Sequence, residues 1–302
     1  MKFQLTPVAA LLLILAASNA QEAGASTYNV DAGILSSRLS SDDQTAMGTW
    51  AMGATVYTTP VRLDPSQPFA ELDFLQRANQ FTLMYSSYSF SGSQVISDTT
   101  ATDLMVNGLV HFDQLALGLS HSSGTMKLSP VGVSWVGYDV STSSTTFRMG
   151  YRARPQTELN LSIGQSVDAY SGSIGLPPIS DDRLSWNRLS IHHVALLNPE
   201  RSLVFDLGMK RKDRSQGSAS SSTQVLDAQL RAYPSPTFYV EAGLNEESGD
   251  PSGSTGRTVS YGAGASLTNR LVLQVFGSKF TAADPRRFSS DRELGFALSL
   301  RF

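Results

Sequence analysis

Alternation of apolar and polar residues with a period of two is the feature that most constrains this sequence. From 294 to 302 every second residue is Leu or Phe, and the residues between them are small or charged. Successive side chains of a β-strand point to opposite faces, so this segment has one wholly apolar face. The pattern recurs at 147–151, 159–164, 203–210, 226–232 and 259–267. Such segments fit strands of about nine to eleven residues, the length that crosses a bilayer at about 45° tilt.

The connections between these segments alternate in length. Short, turn-like ones lie at 154–157, 198–201, 234–237 and 268–270. Longer polar ones lie at 169–182, 213–222, 248–256 and 282–290. Tight turns on one side and longer loops on the other are typical of outer-membrane barrels. Tyr151, Tyr233 and Phe238, beside the short turns, predict an interfacial aromatic girdle. The fold class predicted is all-β, a transmembrane antiparallel β-barrel.

The strand count follows from the even number that a barrel with both ends in the periplasm requires. Fifteen strand-like segments are present in the sequence. Either Ala70 to Leu75 adds a strand, giving sixteen, or one of the segments between Val106 and Val140, which include 114–121 and 131–139, is not separate, giving fourteen. We predict about fourteen strands, within a range of 12–16. We expect 61–79 to be a longer periplasmic connection tucked against the barrel.

The N-terminal twenty residues have a composition unlike the rest. Lys2 precedes an apolar run of eleven residues, Pro7 to Ala17, and small residues at Ser18 and Ala20 fit a cleavage site. This predicts a secretory signal peptide, 1–20, cut after Ala20. Eleven apolar residues are too few to span a hydrocarbon core of about 30 Å. We expect 21–302 to form a single barrel domain outside the cytoplasm.

A soluble secreted β-sandwich or lipocalin-like barrel would also alternate, so composition must separate the two classes. Only 16% of residues are charged, whereas a soluble protein has about 25%. The less apolar faces of the segments are rich in Gly and Ser beside their charges, which suits a crowded or wet lumen. These observations favour the membrane barrel.

The C-terminal alternation also carries a family resemblance. Phe296, Leu298, Leu300 and Phe302 resemble the C-terminal signal of bacterial outer-membrane barrels, which the barrel-assembly machinery reads. A second stretch, PFAELDFLQR at 68–77, is similar to the P-x-A-E-x-x-F-L-x-R stretch of a group of general porins of Gram-negative bacteria. The resemblance implies a porin-like barrel in the Gram-negative outer membrane and names no substrate.

If the Leu and Phe face lipid, the alternate residues line the interior. The predicted pore-lining charges are five cations and five acids, so we expect weak ion selectivity. They are Arg148, Arg152, Lys210, Arg231 and Arg301, with Asp31, Asp206, Asp227, Glu241 and Glu293. Eight strands fill a barrel with side chains and sixteen leave a channel, so fourteen favour an aqueous path. The predicted function is passive diffusion of small hydrophilic solutes; a plugged, closed structural barrel stays open as an alternative.

An enzymatic alternative rests on 118–124, GLSHSSG. His121 and Ser123 have the spacing of the His-x-Ser-Asn-Gly site of outer-membrane phospholipase A, which this stretch faintly resembles. Gly124 replaces the Asn of that site, and the sequence offers no third member to orient the His. A phospholipase-like barrel therefore stays an alternative, and we predict no catalytic residue.

Other classes are disfavoured by composition. The chain has no Cys, which excludes disulfides and a thiolate site, and its net charge of -3 argues against nucleic acid as a partner. His111, His192 and His193 show no metal-ligand spacing, and no cofactor motif is found. The partners that we expect are outer-membrane lipid, the barrel-assembly machinery and small hydrophilic solutes. A homo-oligomer is left open.

Overall fold

The computed structural model describes residues 27–41, 46–91, 100–128, 138–172, 181–249, 255–282 and 291–302. The predicted signal peptide, 1–20, and its cleavage site lie outside the described residues. Within the described ranges, no helix is long and apolar enough to cross a membrane.

Fourteen antiparallel strands close into one barrel, in which each strand pairs with its neighbours in sequence and β1 pairs with β14. The strands are β1 (Thr27–Ser41), β2 (Ala46–Arg62), β3 (Gln80–Ser91), β4 (Thr100–Phe112), β5 (Leu115–Leu128), β6 (Tyr138–Arg154), β7 (Thr157–Gly172), β8 (Asp182–Asn198), β9 (Arg201–Gln216), β10 (Ala219–Ser235), β11 (Phe238–Gly249), β12 (Gly256–Ser266), β13 (Leu271–Ala282) and β14 (Asp291–Arg301). The predicted fold class and the count of fourteen are confirmed.

The sequence pattern does not decide whether two stretches are separate strands, and the structure decides both. β5 pairs directly with β6, in a register that matches Leu128 with Tyr138. The end of the predicted segment 131–139 therefore belongs to β6, and its residues 131–137 lie outside the described ones. The stretch Ala70 to Leu75 is not a strand. It lies in a 3₁₀ turn (Phe69–Glu71) and one α-helical turn (Leu72–Leu75).

The alternating pattern places the apolar residues on the outer surface. Leu161, Leu207 and Phe296 are 39%, 51% and 48% exposed. The residues between them face the interior, because successive side chains of a strand point to opposite sides. A soluble protein buries most of its large apolar side chains, whereas this barrel exposes many of them on its outer face.

The seam of the barrel joins the first strand to the last. The β1–β14 register runs from Asp31 opposite Arg301 to Ser41 opposite Asp291. Beyond it, the backbone N–H of Phe302 donates to Val30 at 2.8 Å. On the inner face, Arg301 Nε donates to Asp31 at 3.2 Å.

The two ends of the barrel differ. One, the turn end, carries the ends of both terminal strands, five short connections and the longer segment 63–79 between β2 and β3, which we name the mouth segment. The opposite, loop end carries the remaining connections. Residues 213–222, predicted as a long polar loop, are mostly strand. Here β9 and β10 continue to a tight turn, in which Gly217 adopts a left-handed conformation with φ 58°.

Candidate functional site

The mouth segment crosses the interior at the turn end and packs against two opposite walls. Its first apolar group, Phe69, Leu72 and Ala78, forms a buried cluster with Tyr28, Tyr57 and Val61 of β1 and β2. Its second group, Ala70, Phe74 and Leu75, packs against Val194, Val204, Tyr233 and Tyr239 of β8 to β11. The segment leaves one wall and reaches the wall opposite, so it obstructs this end of the lumen.

Local chemistry explains the shape of the segment. Pro68, with φ −64° and an extended ψ, precedes the 3₁₀ turn. Gln76 closes the helical turn with a backbone bond to Leu72. Its side chain also exchanges two hydrogen bonds with the backbone of Arg62, at 2.7 and 2.6 Å. Arg77 then adopts a left-handed conformation with φ 55°, which turns the chain into β3.

Glu71 is the polar centre of this packing and is only 4% exposed. Its carboxylate accepts hydrogen bonds from Arg231 Nη1 and, at 3.0 Å, from the Tyr233 hydroxyl. His192 Nε2 lies 3.4 Å from its other oxygen. Arg231 also donates to Glu241 at 3.0 Å. A buried carboxylate is tolerated only when it is paired and hydrogen-bonded, so these contacts hold the segment in place.

Further contacts tie the segment around the wall. The backbone N–H of Phe69 donates to Pro236, in the β10–β11 turn, at 2.9 Å. Arg77 donates to the carbonyl of Leu115, in β5, at 2.8 Å.

On β6, Arg152 is 7% exposed and lies over the ring of Phe74, 5.0 Å from its centroid. It also donates to the carbonyls of Leu75, at 3.3 Å, and Pro155. The segment is therefore bonded to β5, β6 and β10 as well as to its own neighbours.

Asp73 of the mouth segment lies close to Glu71. Burial raises the pKa of the Asp73 carboxyl to about 6, and the charge of Glu71 acts in the same direction. The backbone N–H of Phe74 donates to Asp73 and opposes the shift with a smaller effect. The docked segment therefore takes up a proton more readily than a free carboxylate would.

On the loop-end side of the mouth segment lies a polar chamber. A cavity of about 370 Å³ is bounded by Glu71, Asp73 and Phe74 and by the walls of β3, β4 and β6 to β9. A second, of about 380 Å³, continues toward β12 and shares Arg188 and Asp206 with the first.

Ion pairs organise this chamber. Arg148 donates to Glu158 at 2.8 Å and to Asn160 at 2.7 Å. Arg188 donates to Asp227 at 2.6 Å. The chamber thus has cations and carboxylates side by side.

The ten residues predicted to line a pore share the inward strand face. Arg231 and Glu241 are brought together with Glu71, and Asp31 is paired with Arg301. Asp206 joins the same group through His192, and the remaining residues stand in separate contacts rather than in one ring. The Asp206 carboxylate lies 2.6 Å from His192 Nδ1, and the Lys210 ammonium lies over the ring of Trp186. Asp227 forms an ion pair with Arg188 and Arg148 with Glu158, while Arg152 lies over the ring of Phe74. Glu293 is on the same inward face of β14 as Arg301, and no described ion pair includes it. Their part in a conducting path stays a prediction.

Sequence reasoning missed several inward groups. Arg188 and Glu158 could have been found from the alternation of β8 and β7, because they share parity with Trp186 and Asn160. Glu71 lies in the porin-like stretch, but nothing in that stretch shows which wall it meets. Tyr233, predicted in an interfacial girdle, is 2% exposed inside the lumen, where its hydroxyl reaches Glu71. Tyr151 and Phe238 do face outward, 47% and 39% exposed.

His121 and Ser123 lie on the outward face of β5. His121 Nδ1 lies 2.9 Å from the hydroxyl of Thr145, the residue opposite it on β6. Among the described residues, no hydrogen bond joins His121 to Ser123. Nor do the described residues contain three or more His, Asp or Glu grouped as a metal site.

Comparisons with known proteins identify the architecture. No family model and no curated protein matches this chain. The Acinetobacter baumannii outer membrane protein Omp33 superposes with a TM-score of 0.53 at 13% identity, covering 92% of this chain and 99% of that one. The protein has the fold of an outer-membrane β-barrel. The CymD monoaromatic hydrocarbon channel gives a TM-score of 0.55 at 8% identity, covering 91% and 88%. The Ralstonia pickettii toluene transporter TbuX gives 0.50 at 9%, with the same coverage.

Proposed function

We propose that this outer-membrane barrel is a channel for passive diffusion of small hydrophilic solutes, and that the mouth segment limits flow at its turn end. The observation that carries the proposal is the polar chamber inside a closed fourteen-strand barrel, with the mouth segment as its floor. Solute entering from the loop end would meet charged side chains first and the mouth segment last.

The chemistry of the chamber supports a hydrophilic solute. Arg148, Glu158, Asn160, Ser162 and Ser190 line it and offer both donors and acceptors. The CymD and TbuX structures are titled as a hydrocarbon channel and a toluene transporter. An apolar molecule would gain nothing from the ion pairs here, so the lining favours a different class of cargo.

The same proposal places the turn end in the periplasm. It includes export by a signal peptide cut after Ala20, a single barrel domain over 21–302, and recognition of Phe296, Leu298, Leu300 and Phe302 by the barrel-assembly machinery. The protein should fractionate with the outer membrane and migrate differently on gels before and after boiling. Recovery as a soluble periplasmic protein would contradict this placement.

The channel is tested by single-channel conductance of the refolded protein in planar bilayers. We compare the wild type with a variant in which residues 64–77 are replaced by a short Gly-Ser linker. The wild type should show small conductance steps and the variant steps several-fold larger, because the mouth segment no longer crosses the lumen. Glu247→Gln, which breaks an ion pair with Lys212 near the loop end, is the matched control and should leave conductance near the wild-type value.

Equal conductance of wild type and linker variant would show that the mouth segment does not limit flow. If neither the wild type nor the linker variant conducted, the channel proposal would be wrong and a closed structural barrel would be favoured.

The enzymatic alternative keeps one observation in its favour, the contact of His121 with Thr145, which could orient a general base. It predicts hydrolysis of phospholipid by the wild type and its loss in both His121→Ala and Ser123→Ala. Conductance should be the same in these variants as in the wild type. Absence of hydrolysis in the wild type would remove this alternative.

A further inference from the structure

Four cationic side chains stand on the outward face of four neighbouring strands near the loop end. They are Arg257 on β12, Lys279 on β13, Arg292 on β14 and Arg38 on β1, and all are exposed. We name them the outer cationic cluster. Their parity matches that of the exposed apolar residues on the same strands, so they point away from the lumen.

The strand register brings the four together. Lys279 is directly opposite Arg292. Arg38 is directly opposite Leu294, which is two residues from Arg292 on the same face of β14, so Arg38 and Arg292 are diagonal neighbours. Lys279 is directly opposite Val259, which is two residues from Arg257 on β12, so Arg257 and Lys279 are diagonal neighbours as well. Opposite side chains have Cβ atoms about 4.5–5.5 Å apart and diagonal ones about 7–8 Å apart. The cluster is therefore a continuous row across four strands.

The row lies at the edge of the apolar band. Arg292 is the next outward residue beyond Leu294, which is 62% exposed, and Arg257 is the next beyond Val259, which is 47% exposed. In a membrane-spanning barrel, the edge of the apolar band lies where hydrocarbon gives way to head groups. The row would thus face lipid head groups at the loop end.

Among the described residues, Arg257 is the one member of the row with a carboxylate at ion-pair distance. Arg257 lies 3.8 Å from Glu246, and both side chains are more than half exposed. In the described part of the chain, no carboxylate pairs with Arg38, Lys279 or Arg292. Like charges directly opposite each other on neighbouring strands are destabilising, so Lys279 and Arg292 cost stability unless an anion lies between them.

We propose that the outer cationic cluster binds the phosphate groups of a phosphorylated glycolipid in the outer leaflet. This inference rests on the proposed placement of the turn end in the periplasm. Guanidinium groups bind phosphate through two parallel hydrogen bonds, and an ammonium group adds a point charge. The acyl chains of the same lipid would lie along the apolar band formed by residues such as Leu294 and Val275.

Another wall of the barrel, β3 to β6, provides a comparison within the same molecule. Outward positions near the loop end of β3, β4 and β5 are Ser89, Thr102 and Thr125. One cation, Lys127, is exposed there, but it is directly opposite Asp139 on β6. A cation on this wall already faces a carboxylate, which makes Lys127 a matched control.

The test uses the refolded protein in nanodiscs of uncharged phosphatidylcholine, with bisphosphorylated lipid A as the probe. Lys279→Gln combined with Arg292→Gln should weaken lipid A binding at least about tenfold, since two charge-assisted contacts are lost. Lys127→Gln should leave it unchanged. Without lipid A, the double variant should melt at the same temperature as the wild type or higher, because a repulsive pair has been removed.

Equal binding of lipid A by the wild type and the double variant would overturn the proposal. So would equal competition by inorganic pyrophosphate and lipid A, because the cluster would then bind free anions rather than lipid. Conductance measured on the same samples separates this inference from the channel. A wild type that binds lipid A without conducting would contradict the channel alone, and a conducting wild type that binds no lipid A would contradict the cluster alone.

Discussion

The turn end and the loop end of the lumen are built from the same alternating strands, yet they differ in what fills them. At the turn end Val194 and Val204 point inward and are fully buried against the mouth segment. Toward the loop end the interior holds charged, partly solvated pairs such as Lys212–Glu247, whose side chains are 28% and 25% exposed. Buried apolar residues, Val140 and Val225, stand beside them on the inward face.

The difference teaches that alternation decides which face a residue takes, but not whether the interior is open. In β9, Leu203, Val204 and Phe205 are apolar on both faces, whereas Asp206 to Lys210 restore the polar inward face. A strand that becomes apolar on both faces needs apolar partners inside as well as outside. Here the mouth segment supplies them.

The strongest way to break this comparison is to remove the charge that holds the mouth segment. Glu71→Ala leaves Glu241 as the one described carboxylate paired with Arg231, whose side chain is 21% exposed, and loss of one partner of a buried pair costs about 3–5 kcal/mol. The chain has no Cys, so a single Ala78→Cys substitution reports directly on the segment.

Thiol labelling at position 78 of the Ala78→Cys protein should accelerate on the order of a hundredfold when Glu71→Ala is added. Glu247→Ala, which breaks the pair near the loop end, should change labelling little, because partly exposed pairs contribute about 0–1 kcal/mol. Similar acceleration by the two changes would mean that the ends do not differ as described.

The outward face, in contrast, should respond alike along the barrel. Leu207→Arg and Leu161→Arg each place a charge on exposed apolar surface, at a cost of about 2–4 kcal/mol in a bilayer. Ser162→Arg, one residue from Leu161 but facing the chamber, should cost much less. Folding titrations in lipid vesicles measure the difference. Equal costs would mean that the two faces are assigned wrongly.

Docking of the mouth segment should depend on pH through Asp73. Because burial raises its pKa to about 6, protonation favours the docked state, and this contribution is lost as the pH rises through about 6. Channel openings should therefore be more frequent at about pH 8 than at about pH 5. Asp73→Asn should remove this part of the pH dependence; an unchanged profile in that variant would exclude Asp73 as its source.

The smallest expected effect is on ion selectivity. Arg148→Gln leaves Glu158 uncompensated in the chamber, so the reversal potential should move modestly toward cation preference. Arg152→Gln should act on the docking of the mouth segment instead, because Arg152 contacts Phe74 and the carbonyl of Leu75. A larger selectivity change in Arg152→Gln than in Arg148→Gln would reverse these roles.

Much of the fold was predictable because side chains alternate between the two faces of a strand, so the sequence assigns each strand residue to one face. Leu203 to Lys210 could be assigned to a membrane-length strand with Asp206 inward. The same rule says nothing about residues outside strands. Glu71 could not be matched with Arg231, 160 positions away, because their contact depends on how barrel closure positions β10 relative to the segment.

The ion pairs of the chamber were unpredictable for a related reason. Arg188 meets Asp227 on β10, two strands away and past Gly208 of β9. The alternation of a single strand cannot reveal such a neighbour, because lateral reach depends on small residues on the strand between. Predicting it needs the register of three strands together.

The seam has a consequence for how the chain acquires its structure. Asp31 and Arg301 are 270 positions apart, and their strands must meet before any backbone group on either edge is satisfied. Loop-closure entropy must be overcome before such distant contacts provide stabilisation, so the last step is slow by its topology. Until then both edges can pair with another chain. Pairing of β14 with β1 is therefore the step that converts an aggregation-prone open sheet into a closed barrel with no free strand edge.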